Sequence, residues 1–96
     1  MQYRLQFSTQ ALEILRLLNT TAPKKYKKVQ KILGYMENNL RHPSLQTHEY
    51  QSLSGPEGEK MFEAYVENKT PGAWRIFWYY GPGQSVITIY SIISHP

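Results

Sequence analysis

Arg75 is the one charged residue in an otherwise apolar and aromatic run, Trp74 to Tyr80 (WRIFWYY). Burying a guanidinium there is costly unless it has a task or a partner. His48 and Glu49 open a candidate strand upstream, Lys60 precedes another, and His95 follows the last one. Antiparallel pairing puts Arg75, His48 or Glu49, and His95 within reach of one sheet edge. Together these residue types suit RNA cleavage by the ribose 2′-hydroxyl. That reaction needs a base for the hydroxyl, a cation for the pentavalent phosphorane and an acid for the leaving oxygen. Histidine serves either proton role near neutral pH, and arginine matches phosphate bidentately. No metal or other cofactor is required. An exposed tyrosine such as Tyr79 would add a stacking surface for unpaired bases.

The same residues have plainer readings. Arg75 pairs equally well with Glu63 or Glu67 across a hairpin, and His48 equally well caps or braces a turn. His95 lies one residue from the end of the sequence, where chains fray. The tyrosines and tryptophans are also the largest source of buried area for so small a domain. Five of the eleven Lys and Arg residues fall between Lys24 and Lys31. They form either a solvated helix face or, through Lys24, Lys27, Lys28 and Lys31, an electrostatic handle for nucleic acid, with Lys60 as a further candidate contact.

The elements that must position these residues follow from periodicity. Met1 to Phe7 alternates, with Tyr3, Leu5 and Phe7 inward, as a strand with one wet face. Ser8 or Thr9 caps a helix reaching about Asn19, with Glu13 near its start and a stripe of Ala11, Ile14, Leu15 and Leu18. Leu12 and Leu17 leave a second apolar flank for the next helix. Pro23 suits the first position of that helix, which runs to about Asn39 with Tyr26, Val29, Ile32, Leu33, Met36 and Leu40 on its core face. Gly34 within it suggests close packing. Pro43 ends the helical region, and Ser44 to Thr47 reads as loop.

Strands follow at His48 to Leu53, Met61 to Glu67, Ala73 to Tyr80 and Val86 to Ile93. In the third, Trp74, Ile76, Trp78 and Tyr80 face one way and Arg75, Phe77 and Tyr79 the other. The fourth is apolar at nearly every position, as in a central strand covered on both faces. A Gly-Pro-Gly turn joins these two. The class is α+β: a strand, two helices, then a three- to four-stranded antiparallel sheet with the helices on one face. The opposite face is expected to stay open and carry the site.

Ninety-six residues, 41% hydrophobic and 19% charged, make a single globular domain spanning 1–96. The absence of cysteine removes disulfides, thiolate metal sites and thiol nucleophiles. His42, His48 and His95 lack the spacing of a metal site. No apolar run approaches the roughly 20 residues that span a bilayer, and the N-terminus lacks the apolar block of a signal peptide. No membrane partner is expected, and the expected location is cytoplasmic. A net charge of +4 favours a polyanionic or acidic partner.

The segments KKVQKILGYMENNLRHPSL, THEY, GAWRIFWYY and VITIYSIISHP, in this order, resemble the RelE/ParE toxin superfamily. The similarity is nearest to RelE- and HigB-like toxins of type II toxin–antitoxin modules, and it covers essentially the whole chain. It implies a toxin neutralised by a cognate antitoxin. It also implies a ribosome-dependent endoribonuclease that cuts mRNA in the A site without metal, inhibiting translation. By this resemblance Arg75 matches the strand arginine that contacts the scissile phosphate, and His95 a C-terminal position in proton transfer. His48 and Glu49 fall where relatives carry basic or acid-base residues, and the lysine-rich helix suits ribosomal RNA. Relatives commonly continue past this histidine with a tyrosine-bearing tail. The resemblance equally admits a ParE-like gyrase inhibitor, or a catalytically weak relative that only binds its antitoxin.

Overall fold

The computed structural model describes residues 2–94. In chain order the elements are β1 (Arg4–Phe7), α1 (Thr9–Thr21), α2 (Pro23–Asn38), a 3₁₀ turn (Pro43–Leu45), β2 (His48–Ser54), β3 (Lys60–Tyr65), β4 (Trp74–Tyr80) and β5 (Val86–Ser94). This is the expected α+β order, with one addition. β1 joins the same sheet, parallel to β5, from Arg4 opposite Val86 to Phe7 opposite Ile89. The sheet therefore has five strands in the order β1-β5-β4-β3-β2, antiparallel at every other junction.

Ser8 starts α1 as expected: its Oγ accepts from the Ala11 N–H at 3.0 Å. The same hydroxyl donates to the Tyr90 carbonyl at 2.7 Å, fixing the helix start to β5. α1 runs past Asn19 because the Thr20 and Thr21 hydroxyls both donate to the Leu17 carbonyl, at 3.0 and 2.7 Å, and satisfy its last turn. Only Ala22 then separates it from α2, where Pro23 occupies the first turn. The 3₁₀ turn lies where loop was expected and buries Leu45.

The main core lies between helices and sheet. Ala11 and Leu18 of α1 and Val29, Ile32, Leu33 and Met36 of α2 meet Ala64, Ile76, Trp78, Ile87, Ile89 and Ile92. Trp74, Phe62, Tyr26, Ile14 and Leu15 pack around this cluster. The core isoleucines of β5, Ile87, Ile89 and Ile92, are spaced two and then three apart, although strand side chains alternate with period two. The register explains this. Phe77 pairs with Ser91 but Trp78 with Ile89, so Tyr90 is an extra residue on β5. A bulge of this kind shifts the alternation by one and keeps Ile92 facing the helices.

Three expectations fail here. Leu12 and Leu17 are not covered by α2 and remain exposed, because α2 packs against the Ala11–Leu18 stripe. Gly34 marks no close approach: a Cβ placed there meets nothing within 4 Å. The sheet face turned away from the helices is not bare, since Met61, Phe77 and Tyr79 are buried on it beneath Tyr50, Tyr90 and Ile93.

Candidate functional site

On that second face, β2, β3 and β4 bring His48, Glu63, Tyr65 and Arg75 together. His48 is paired with Glu63 in the β2–β3 register, and Tyr65 with Arg75 in the β3–β4 register. His48 Nε2 stands 2.7 Å from Glu63 Oε1, and Arg75 Nε 3.7 Å from Glu63 Oε2. The Arg75 guanidinium carbon lies 3.7 Å above the centre of the Tyr65 ring, a cation–π contact. The His48 ring meets Tyr65 edge-on at 5.9 Å. Arg75 Nη1 donates to the Glu67 carbonyl at 2.6 Å and to the Trp74 carbonyl at 3.2 Å.

The expectation that Arg75 faces an open pocket is therefore corrected. Its side chain is only 10% exposed; Nη1 donates to two carbonyls, and Nε lies 3.7 Å from the Glu63 carboxylate, an ion pair without a hydrogen bond. The cause lies in the sequence. Glu63 shares the alternating face of β3 with Tyr65, so strand pairing delivers a carboxylate to a guanidinium that burial would otherwise penalise. The plainer reading of Arg75, a partner across the hairpin, is the one observed.

His48 is the accessible member, at 46% side-chain exposure. Its Nδ1 lies 2.8 Å from the Gln46 carbonyl, so both ring nitrogens face oxygens. His48 and Arg75 flank the two oxygens of the Glu63 carboxylate, and of the pair His48 is the one that reaches solvent.

The other candidates do not join this cluster. Glu49 pairs with Phe62, which packs toward the helices; neighbouring strand residues point to opposite faces, so Glu49 and His48 part company. His95 lies outside the described residues; Ser94 before it pairs with Trp74. Lys60 is exposed at the start of β3, paired with Ser54. Tyr79 is corrected from a stacking surface to a core residue, 8% exposed against Met61 and Phe77. The alternation of Met61, Phe77 and Tyr79 on adjacent strands is the sequence signal for that second cluster.

Lys24, Lys27, Lys28 and Lys31 are exposed on α2, but the basic run is not all free charge. Lys25, half-buried, donates to both Glu67 carboxylate oxygens at 2.7 Å and lies 5.6 Å from the Trp74 ring centre. Lys28 reaches the same carboxylate at 3.2 Å. Lys31 stands 5.8 Å over the Tyr35 ring. Burial pushes the Glu67 carboxyl up, but hydrogen bonds from Lys25, the Trp74 N–H and Lys28 outweigh it and hold it below the ordinary carboxylate range. Lys25 and Glu67 thus clamp α2 to the β3–β4 turn. Among the described residues, no three His, Asp or Glu side chains gather as a metal site would require, and no helix is long and apolar enough to cross a membrane.

No protein-family model and no curated protein matches the sequence. Solved structures do match the fold. The YoeB/ParE toxin from Agrobacterium tumefaciens has a TM-score of 0.71 at 8% identity, covering 97% of this chain and 99% of that one. The YoeB–YefM complex from Staphylococcus aureus gives 0.69 at 17%, covering 100% of both chains. The archaeal RelE–RelB complex from Pyrococcus horikoshii gives 0.67 at 16%, covering 98% and 96%. The resemblance read from the sequence holds at the level of the fold, which the chain shares with these toxins.

Proposed function

We propose that this chain is the toxin of a type II toxin–antitoxin pair and that it cuts mRNA on the ribosome, restrained by a cognate antitoxin. The observation that supports the toxin reading is coverage in both directions. Toxins solved with RelB, YefM and DinJ align with nearly the whole of this chain and leave almost none of their own length unmatched.

In the nuclease reading the 2′-oxygen attacks the adjacent phosphorus and the bond from phosphorus to the 5′-oxygen breaks. A 2′,3′-cyclic phosphate and a 5′-hydroxyl result, the first proton leaving to a base and the second arriving from an acid. His48, accessible at the surface, suits contact with the scissile phosphate; Glu63 and Arg75 hold it in place from within. His95 is assigned the proton transfer. Lys24, Lys27, Lys31 and Lys60 supply contacts to RNA phosphates. Cytoplasmic action follows from a ribosomal target.

One observation favours a second reading. Arg75 is already engaged by Glu63, Glu67 and Trp74, which suits a toxin that works by binding a protein, as a ParE-like gyrase inhibitor would. Expression in a translating extract with mapping of mRNA 5′ ends separates the two. Codon-phased cuts that disappear in His48→Ala support the nuclease. Intact mRNA, with growth arrest and DNA double-strand breaks in cells, supports the gyrase-type toxin. Absence of any growth defect, with no stable complex formed with an acidic protein encoded beside it, overturns the toxin reading.

A further inference from the structure

At the far end of β4 from Arg75, five residues and so roughly 17 Å along the strand, lies a cavity of about 700 Å³. It is walled by the end of α2, the turn that follows, and the approach to β1. Tyr3, Asn39, Arg41, His42, Gln46 and Tyr80 supply its chemistry, and none of its lining residues is acidic.

Tyr80 is 50% exposed, yet its ring is firmly held. Phe62 and Trp78 meet it edge-on at 5.4 and 4.9 Å, and Tyr3 lies 6.0 Å away. A single exposed tyrosine is ordinary; what surrounds this one is not. Arg41 is exposed and has no ionic partner among the described residues. Burial and Tyr3 push the Tyr80 hydroxyl up, while the Arg41 charge is near enough to pull against them. Asn39 Oδ1 is occupied by the Arg41 N–H, leaving its amide group as a donor. His42 is stacked on Tyr35 at 3.9 Å, and its Nδ1 accepts from the Ser44 N–H. The hydrogen of the neutral ring is then on Nε2.

A fixed aromatic face, an unpaired guanidinium, planar amides and no carboxylate narrow the ligand. A sugar site would offer carboxylates to hydroxyl groups, and an acidic peptide needs no aromatic platform. We infer that this cavity receives one unpaired nucleotide of single-stranded RNA, its base against Tyr80 and its phosphate at Arg41. The biological ligand rests on the RNA-directed function proposed for the chain, but the binding itself is measured without ribosomes and without cleavage.

The test titrates the isolated chain with 3′-fluorescein hexa-adenylate by anisotropy, with AMP and inorganic phosphate as competitors. Stacking on Tyr80 predicts that Tyr80→Leu weakens binding by about tenfold or more. Arg41→Gln, at an exposed site with no folding role, weakens it and lowers the slope of log affinity against log salt by about one. AMP competes better than phosphate, and Leu17→Ala, exposed on α1, binds as the parent does. Parent-like binding by Arg41→Gln and Tyr80→Leu, absence of binding, or equal competition by phosphate and AMP overturns the inference. Cuts lost from translating extracts while hexa-adenylate still binds would instead remove the nuclease reading and leave this site standing.

Discussion

Arg75 Nε and Glu63 Oε2 lie 3.7 Å apart, on neighbouring strands and diagonal to each other, because Arg75 is directly opposite Tyr65. Glu63 is 2% exposed. A buried pair of this kind adds little over an apolar one of the same shape, but removing one partner strands the other charge. Arg75→Ala is expected to cost about 3 kcal/mol, read from the urea midpoint. His48 touches the same carboxylate from a half-exposed position, so His48→Ala is expected to cost no more than about 1 kcal/mol. Equal small losses in both variants would show that Arg75 is no brace.

The Lys25–Glu67 clamp gives a pH dependence. Glu67 is held below its ordinary value of 4.5 in the folded chain, so the unfolded chain binds the proton more tightly. Its contribution is present above about pH 4.5 and is lost as pH falls through the lower folded value. Glu67→Gln should destabilise by about 2 kcal/mol near pH 7. The gap between parent and variant should close progressively below about pH 4.5. A gap that stays constant from neutral pH down through the acid range would contradict the clamp.

Gly34 lies inside α2, and an alanine methyl at that position would have no neighbour within 4 Å. Alanine there removes the backbone freedom that glycine loses on folding. Gly34→Ala is expected to stabilise by about 1 kcal/mol, or roughly 4–8 °C in Tm for a domain of this size. A fall in Tm would reveal a close contact at this position.

The elements are legible in the sequence because each carries strong local signals: the Ser8 cap, Pro23 at the start of α2, and aromatic alternation in β4. The parallel pairing of β1 with β5 is not legible, since it joins the two ends of the described chain and leaves no local trace. The Tyr90 bulge is also hidden, because a continuous apolar run such as VITIYSII looks the same with or without an extra residue. At the candidate site, Arg75 stands out through its isolation among aromatics. Its direction does not, because Glu63 is one residue among several acids until register selects it. Tyr79 eludes a strand-by-strand reading for a related reason: it shares a face with Phe77 by alternation, but its burial depends on Met61, Tyr50 and Tyr90, which reach that face only once β4 is paired with its neighbours.

The bulge yields the last prediction. Ser8 Oγ accepts from the Ala11 N–H and donates to the Tyr90 carbonyl, so one hydroxyl both starts α1 and anchors the irregular residue of β5. Capping alone makes Ser8→Ala cost about 1 kcal/mol, and the stranded Tyr90 carbonyl adds about another 1 kcal/mol. Aspartate retains the cap but, when ionised, has no hydrogen to donate to Tyr90 and sets a negative charge against a carbonyl. Ser8→Asp should therefore remain destabilised near pH 7, whereas Ser8→Thr, which keeps both bonds, should lie closest to the parent. Full recovery by aspartate in urea denaturation would reduce Ser8 to a helix cap and leave the bulge to be held by strand pairing alone.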